Sequence, residues 1–402
     1  MKIALVNIGT ILSGDWREPF VAGDALYMAG GRIKEVGNVP SEDIEAADLV
    51  VDVGGMTVIP GLIDSHVHTT FGDYTPRQQT VGFLESYVHG GITSAISASE
   101  IHVPGRPADP AGLKALVIAA QRCFQTFRPG GMRVYGGSVI MEPGLTEADY
   151  AEMAGEGVWL AKVGFGAFEK PADVTPQVRA AQKHGIKVMC HTGGASVPGS
   201  SPIDADDLLT MLPDIAGHVN GGPVALCDKD LTRVVNESPI ALQISQAGNI
   251  RSAVKVVELV EEGGYFDRLL ISSDTPTGTG MMPLGVIKSL VEMTCLTGVE
   301  PERIIATATG NCGLIYDLDS GFLAPGKAGD VTIIDAALGC SRETALAGMS
   351  NGDIPAIAAV FSDGIPRFVG KSRNTPPPTR KISIVKNNVP ASYGDETYHH
   401  CC

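Results

Sequence analysis

A (β/α)8 TIM-like barrel of the α/β class, carrying a small β-sandwich domain built from both termini, is the fold that three features of the sequence predict. Between residue 57 and about residue 315, short β-branched runs alternate with longer segments of helical periodicity, the pattern of βα units around a parallel sheet. The runs number eight, as a closed (β/α)8 barrel needs. Before and after that region, short alternating stretches punctuated by glycine predict strands and turns with no helical period.

Taken in order, residues 1–55 predict strands at Ile3–Val6, Ala25–Met28, Ile33–Val36 and Leu49–Val53, the N-terminal part of the small β-domain. Residues 56–316 hold the eight runs: Val58–Ile63, Thr93–Ser97, Arg133–Met141, Trp159–Phe165, Lys187–Cys190, Ile215–Val219, Ile240–Ser245 and Leu269–Ser273. Helices are predicted at Arg77–His89, Ala111–Phe127, Glu147–Glu156, Thr175–His184, Ala253–Gly263 and Gly285–Thr297. The β texture returns at Val331–Ile334 and Ala358–Phe361, before the Asp363-Gly364 turn signal, so residues 317–380 are expected to complete the small β-domain and 381–402 to form a flexible tail. A doubly wound sheet is the competing α/β fold, but no Gly-x-Gly-x-x-Gly loop follows the first run.

Composition narrows the function classes. The 402 residues are 44% hydrophobic and 19% charged, which fits a soluble globular enzyme. A net charge of −15 disfavours nucleic acid as a partner. The apolar start Met1–Val6 is interrupted by Asn7 and Gly9, too early for a signal peptide, and no run of about 18 apolar residues is present to span a membrane. The eight cysteines have no framework spacing and are expected to be reduced thiols in a cytoplasmic protein. His399-His400-Cys401-Cys402 could bind adventitious metal, with a frayed terminus as the plainer reading.

The chemistry gathers at the ends of the runs. His66 and His68 close the first, and residues i and i+2 of a strand share a face, so both imidazoles would be delivered together. His191 ends the fifth run, His218 the sixth, and Asp274 follows the eighth. Any one of these could be a loop or core residue. Together they fall on the rim where barrel enzymes carry their active sites, and imidazole is a common ligand for first-row metals. Lys162 lies in the apolar fourth run, where an ammonium is costly unless it is paired, snorkels to solvent or loses its charge.

Gly61-Leu62-Ile63-Asp64-Ser65-His66-Val67-His68, Lys162, His191, His218 and Asp274 resemble the binuclear amidohydrolase superfamily. That resemblance implies two divalent transition metals, zinc by preference with iron or manganese as alternatives. His66, His68 and Asp274 would bind the more buried ion, His191 and His218 the other, and Lys162, carbamylated by carbon dioxide, would bridge them. It also implies attack by a metal-bridging hydroxide, with Asp274 as proton shuttle, and a dimeric or tetrameric homo-oligomer. Gly321–Val331 is similar to the superfamily's return into its small β-domain.

Within the superfamily, Gly72–Gln78, His191–Gly194, Pro198–Ser201, His218–Pro223, Gly278–Gly280 and Ser372–Pro377 resemble the enamidases. Enamidase-like chemistry is hydrolysis of the C–N bond of a small cyclic amide, there the ring amide of 6-oxo-1,4,5,6-tetrahydronicotinate. The enamidase bridging position carries glutamate where this chain has Lys162, which leaves the bridge and the substrate open. Arg77, Arg106, Asn220 and Gln246, in or near loops after the first, second, sixth and seventh runs, are candidate substrate contacts. Other cyclic amide or imide hydrolases and lactonases would use the same centre, and a non-catalytic scaffold is the remaining alternative. A deaminase is disfavoured, since Gly194 and Gly221 stand where such enzymes carry a glutamate three residues after a metal histidine.

Overall fold

The computed structural model describes residues 1–69, 82–98, 105–195, 199–221, 225–276 and 280–389. Between residues 62 and 272 its strands run parallel. Leu62–Val67, Ile92–Ser97 and Arg133–Tyr135 form one sheet, and Ser138–Ile140, Leu160–Val163, Lys187–His191, Ile215–Gly217, Ala241–Ser245 and Leu269–Ser272 form the next, each strand beside its predecessor. The last strand returns to the first: Asp274 donates its amide to the His66 carbonyl at 2.9 Å, and His68 donates to the Thr275 carbonyl at 2.8 Å.

Two expected runs are divided. Arg133–Met141 breaks at Gly136-Gly137, where a Cβ on Gly136 would strike the Phe124 ring. Val58–Ile63 is corrected more deeply, because Thr57–Pro60 pairs antiparallel with Val331–Ile334 of the terminal sheet and the parallel strand starts only at Leu62. Thr57–Pro60 is buried throughout, so its pattern could not reveal which sheet it joins.

Helices cover the outer face of the parallel strands. Pro110–Phe124 is capped by the Asp109 side chain on the Gly112 amide, with proline in the first turn, and Ile250–Gly263 is capped by Asn249 and stopped by Gly264 in the left-handed region. Their buried faces pack on the strands in one apolar cluster. A second layer, Ile63, Leu160, Met189, Ile215, Ala241 and Leu270, fills the inner side.

Both termini contribute to two further sheets. One has the order Ser383–Asn387, Leu49–Asp52, Lys2–Val6, Ala25–Ala29, Arg32–Gly37, and the other runs Ile365–Val369, Ala356–Ser362, Val331–Asp335, Thr57–Pro60, Thr10–Leu12, Phe20–Val21. They share a core that includes Ile3, Leu5, Val51, Val58, Ile333 and Phe361. The expected flexible tail from 381 is corrected as far as residue 389: Ile382 is buried, and Ser383–Asn387 pairs antiparallel with Leu49–Asp52. Residues 390–402, with the His399–Cys402 run, lie outside the described residues. The described cysteines are unbridged, and no helix among the described residues is long and apolar enough to cross a membrane.

Candidate metal centre

The period of two along a strand builds the site. Two residues beyond Leu160, Met189 and Ala241 of the inner apolar layer come Lys162, His191 and Gln243, which therefore rise from the same face one level higher. His66 and His68 enter from the first strand, and His218 and Asp274 follow the sixth and last strands. These last two hold φ of 37° and 56°, a left-handed backbone that aims each side chain inward and is uncommon outside glycine. Room for His191 comes from Gly164 (φ 113°), where a Cβ would lie 2.5 Å from the His191 Cβ.

All six expected ligands converge. His66, His68 and Asp274 offer donor atoms that lie within 4.8 Å of one another. Asp274 Oδ1 is 2.9 Å from His68 Nε2 and 3.4 Å from His66 Nε2. Lys162 Nζ is 3.5 Å from His66 Nε2, His191 Nδ1 is 3.1 Å from His218 Nε2, and the His66 and His218 rings are 5.4 Å apart.

Hydrogen bonds assign the tautomers. His66 Nδ1 donates to Gln243 Oε1 at 2.5 Å, while Gln243 Nε2 donates to the Ser65 carbonyl and hydroxyl. A neutral His66 therefore turns an unprotonated Nε2 toward the Asp274 carboxylate, with the Lys162 amine beside it. His191 Nε2 donates to the Gly194 carbonyl at 2.9 Å, which leaves Nδ1 as its acceptor toward His218 Nε2. His218 Nδ1 is buried without a partner. Lone pairs facing a carboxylate, with a buried orphan beside them, are what a cation relieves, so the residues fit a metal centre.

The charge states agree. Burial, followed by the Lys162 ammonium, pushes His66 well below its ordinary range, and burial drives His191 down to about 4 and His218 to about 3. Burial opposes ionisation of Asp274, yet His66 and His218 once protonated, together with the hydrogen bond to His68, outweigh it and hold the carboxyl below the usual range. Neutral imidazoles and an ionised carboxylate are the metal-binding forms. Burial lowers the Lys162 amine to about 8.

One consequence is measurable in the metal-free protein. Between pH 6.5 and about 3 the unfolded chain takes up a proton at residue 218 that the folded chain refuses, so this stability contribution is complete above 6.5 and is lost as pH falls. Asp64 and Asp330, raised by burial to about 7 and about 6, act in the opposite sense. A comparison with His218→Asn isolates the histidine. By calorimetry, wild type should lose stability relative to that variant as pH falls from 6.5 toward 4, and a pH-independent difference would contradict the assignment.

Sequence reasoning missed Gln243 and Asp64. Asp64 is buried, its Oδ1 accepting from the Ser273 and His66 amides while Oδ2 has no partner. Gln243, a long polar side chain in the apolar run Ala241–Ser245, was detectable by counting two residues on from Ala241. Because Gln243 fixes the His66 tautomer, Gln243→Leu should weaken metal affinity about 10–100-fold, read by competition with a chromophoric chelator. Unchanged affinity would remove it from the site.

The four expected substrate contacts divide. Arg106 reaches the wall of the site, donating to the Phe165 carbonyl and pairing with Glu142 at 2.8 Å, and the Phe165 ring lies 5.5 Å from His191. Asn220 is corrected to a structural role, since its amide donates to the Ser245 carbonyl and accepts from the Ser245 amide. Gln246 Oε1 is likewise engaged, by the Ser289 hydroxyl at 2.7 Å. Arg77 lies outside the described residues.

No family model matches the sequence. An enamidase from Eubacterium barkeri is 42% identical over 385 residues, which span 96% of this chain and 100% of that protein. The chain belongs to the enamidase family of the amidohydrolase superfamily. A crystal structure of enamidase, itself reported as a member of that superfamily, matches this enamidase-family fold with a TM-score of 0.90 at 43% identity, over 96% of this chain and 100% of its own. A second amidohydrolase structure, 16% identical with a TM-score of 0.61, covers 92% of the chain and shares the fold. Adenine deaminase 1 of Desulfotalea psychrophila is 22% identical over 82% of this chain and 54% of its own length.

Proposed function

We propose that the chain hydrolyses the C–N bond of a small cyclic amide of the enamide type, using two divalent metal ions that His66, His68, Asp274, His191 and His218 would hold together with Lys162 as its carbamate. The observation that carries the proposal is the facing of unprotonated donors, His66 Nε2 toward Asp274 Oδ1 and an orphaned His218 Nδ1, at one end of the parallel strands. Full-length similarity to enamidase supports the reaction class. The proposed architecture has the parallel strands closed as a (β/α)8 barrel from Leu62 to residue 316, beside a small β-sandwich domain from 1–60 and 317–389.

When bound, the ions supply Lewis acidity and activated water. Asp274, ionised and beside His66 and His68, accepts the proton released as water adds to the ring carbonyl and returns it to the ring nitrogen as the C–N bond breaks. Gln243 holds His66 in one tautomer throughout. Burial lowers the Lys162 amine to about 8, which favours the neutral form able to add to carbon dioxide, a proton leaving the nitrogen as the carbamate forms. Its neighbours within bonding distance are His66 Nε2 and the Met189 sulfur at 3.3 Å, neither of them an anion. Arg106 is proposed as a substrate contact at the wall. The scattered spacing of the eight cysteines, without a disulfide framework, supports a cytoplasmic setting, and a homo-oligomer is the proposed assembly.

A panel of cyclic enamides, saturated lactams, imides and lactones offered to the metal-loaded protein tests the substrate class. Fastest ring opening of a cyclic enamide is expected. Turnover confined to lactones would replace the amidase reading with a lactonase on the same residues.

A further inference from the structure

A cleft of about 590 Å³ lies at the opposite end of the parallel strands from the metal centre, where the C-terminal end of the helical segment 82–88 and the segment after Pro110–Phe124 meet the edge strand Ile365–Val369. Arg128, Arg367 and Arg373 line it, with Glu85 the sole carboxylate among its lining residues. In a chain of net charge −15, three guanidiniums without ion pairs to the described carboxylates are out of place. Neighbouring Arg133 shows the ordinary arrangement, with Asp319, Asp330 and Asp363 all paired to it.

Each of the three is anchored by a neutral acceptor that fixes the guanidinium without cancelling its charge. Arg128 Nη1 donates to the Phe127 carbonyl at 3.0 Å, Arg367 Nη2 to the Ser362 carbonyl at 3.0 Å, and Arg373 Nε to His89 Nε2 at 2.9 Å. His89 is itself fixed, stacked on Phe368 with ring centroids 4.5 Å apart, and the Ser372 hydroxyl donates to its carbonyl. Arg367 lies against Gly131, where a Cβ would collide with the guanidinium, and its Nε is buried with no partner. Burial lowers the Arg367 guanidinium from its ordinary range although Asp363 and Asp330 act against it. Three anchored cations lining one cleft with a single carboxylate leave a positive site suited to an anion.

We propose that this cleft binds a small dicarboxylate. Guanidinium forks match carboxylates in pairs, and the volume falls within the range of small-molecule sites. Val88, Phe368 and Val369 add apolar lining to the same cleft, suited to a short carbon chain with a carboxylate at each end rather than to compact phosphate.

Calorimetric titration of the metal-loaded full chain with succinate, and separately with inorganic phosphate, tests it. Succinate should bind with one site per chain, about tenfold more weakly in Arg128→Gln and in Arg373→Gln, while metal content, turnover and the ligand-free thermal midpoint stay unchanged. Arg373→Lys, which keeps the charge but loses the fork, should fall between wild type and Arg373→Gln. Succinate binding that is indifferent to both glutamine variants would put the ligand elsewhere and overturn the proposal, as would no binding at about 20 mM. Phosphate binding as tightly with the same arginine dependence would overturn the dicarboxylate assignment.

Discussion

Asp274→Asn should retain most of its metal while turnover falls about 10²–10⁴-fold, the range that a positioned acid-base group contributes. The substitution is unusually clean. Residue 274 sits at φ 56°, a left-handed conformation that asparagine tolerates, and an asparagine oxygen can still accept from His68 Nε2, now 2.9 Å from the aspartate. What disappears is the ability to take a proton. Near wild-type turnover at full metal content would assign the shuttle to another residue and undo the central step of the proposed reaction.

Lys162→Met should abolish binding of the second metal and reduce turnover by at least a hundredfold, yet make the metal-free protein more stable by about 1–3 kcal/mol. The opposed signs separate a functional lysine from a structural one. Lys162 is fully buried, has no carboxylate ion pair among the described residues, and touches Met189, so methionine fills nearly the same space without a charge to desolvate. Its folded pKa of about 8 lies below the ordinary 10.5, so the penalty is complete below pH 8 and disappears as pH rises through 10.5. The stability gain of the variant should shrink over that window. A variant less stable than wild type at pH 7, measured by denaturant unfolding without metal, would make Lys162 a packing residue.

Much of the site was legible because strand periodicity and strand ends leave marks in sequence. His66, His68, Lys162, His191, His218 and Asp274 close or interrupt apolar runs, and the structure brings those six together. Gln243 escaped because its contribution is a hydrogen bond to His66 across 177 residues, which no local pattern records. Asn220 and Gln246 misled for a related reason. A polar side chain near a glycine-rich turn is as useful to the turn as to a ligand, and here Asn220 closes on Ser245 while Gln246 holds Ser289.

The fold divided along similar lines. The helix Gly285–Thr297 was expected to the residue, since its period and its glycine stop agree. By contrast, Thr57–Pro60 and Leu62–Val67 form one apolar stretch in sequence but belong to different sheets, and only pairing with Val331–Ile334 separates them. Ser383–Asn387 looked like the start of a tail because an edge strand over a small core carries little buried pattern of its own.

The most direct test of the central claim is the metal content of the chain, measured by mass spectrometry of protein purified in metal-replete buffer and titrated again after stripping. Two divalent transition-metal ions per chain are expected, with hydrolysis of a cyclic enamide lost on stripping and restored only as the second equivalent is added. A stoichiometry fixed at one, with full activity at that equivalent, would contradict the binuclear centre.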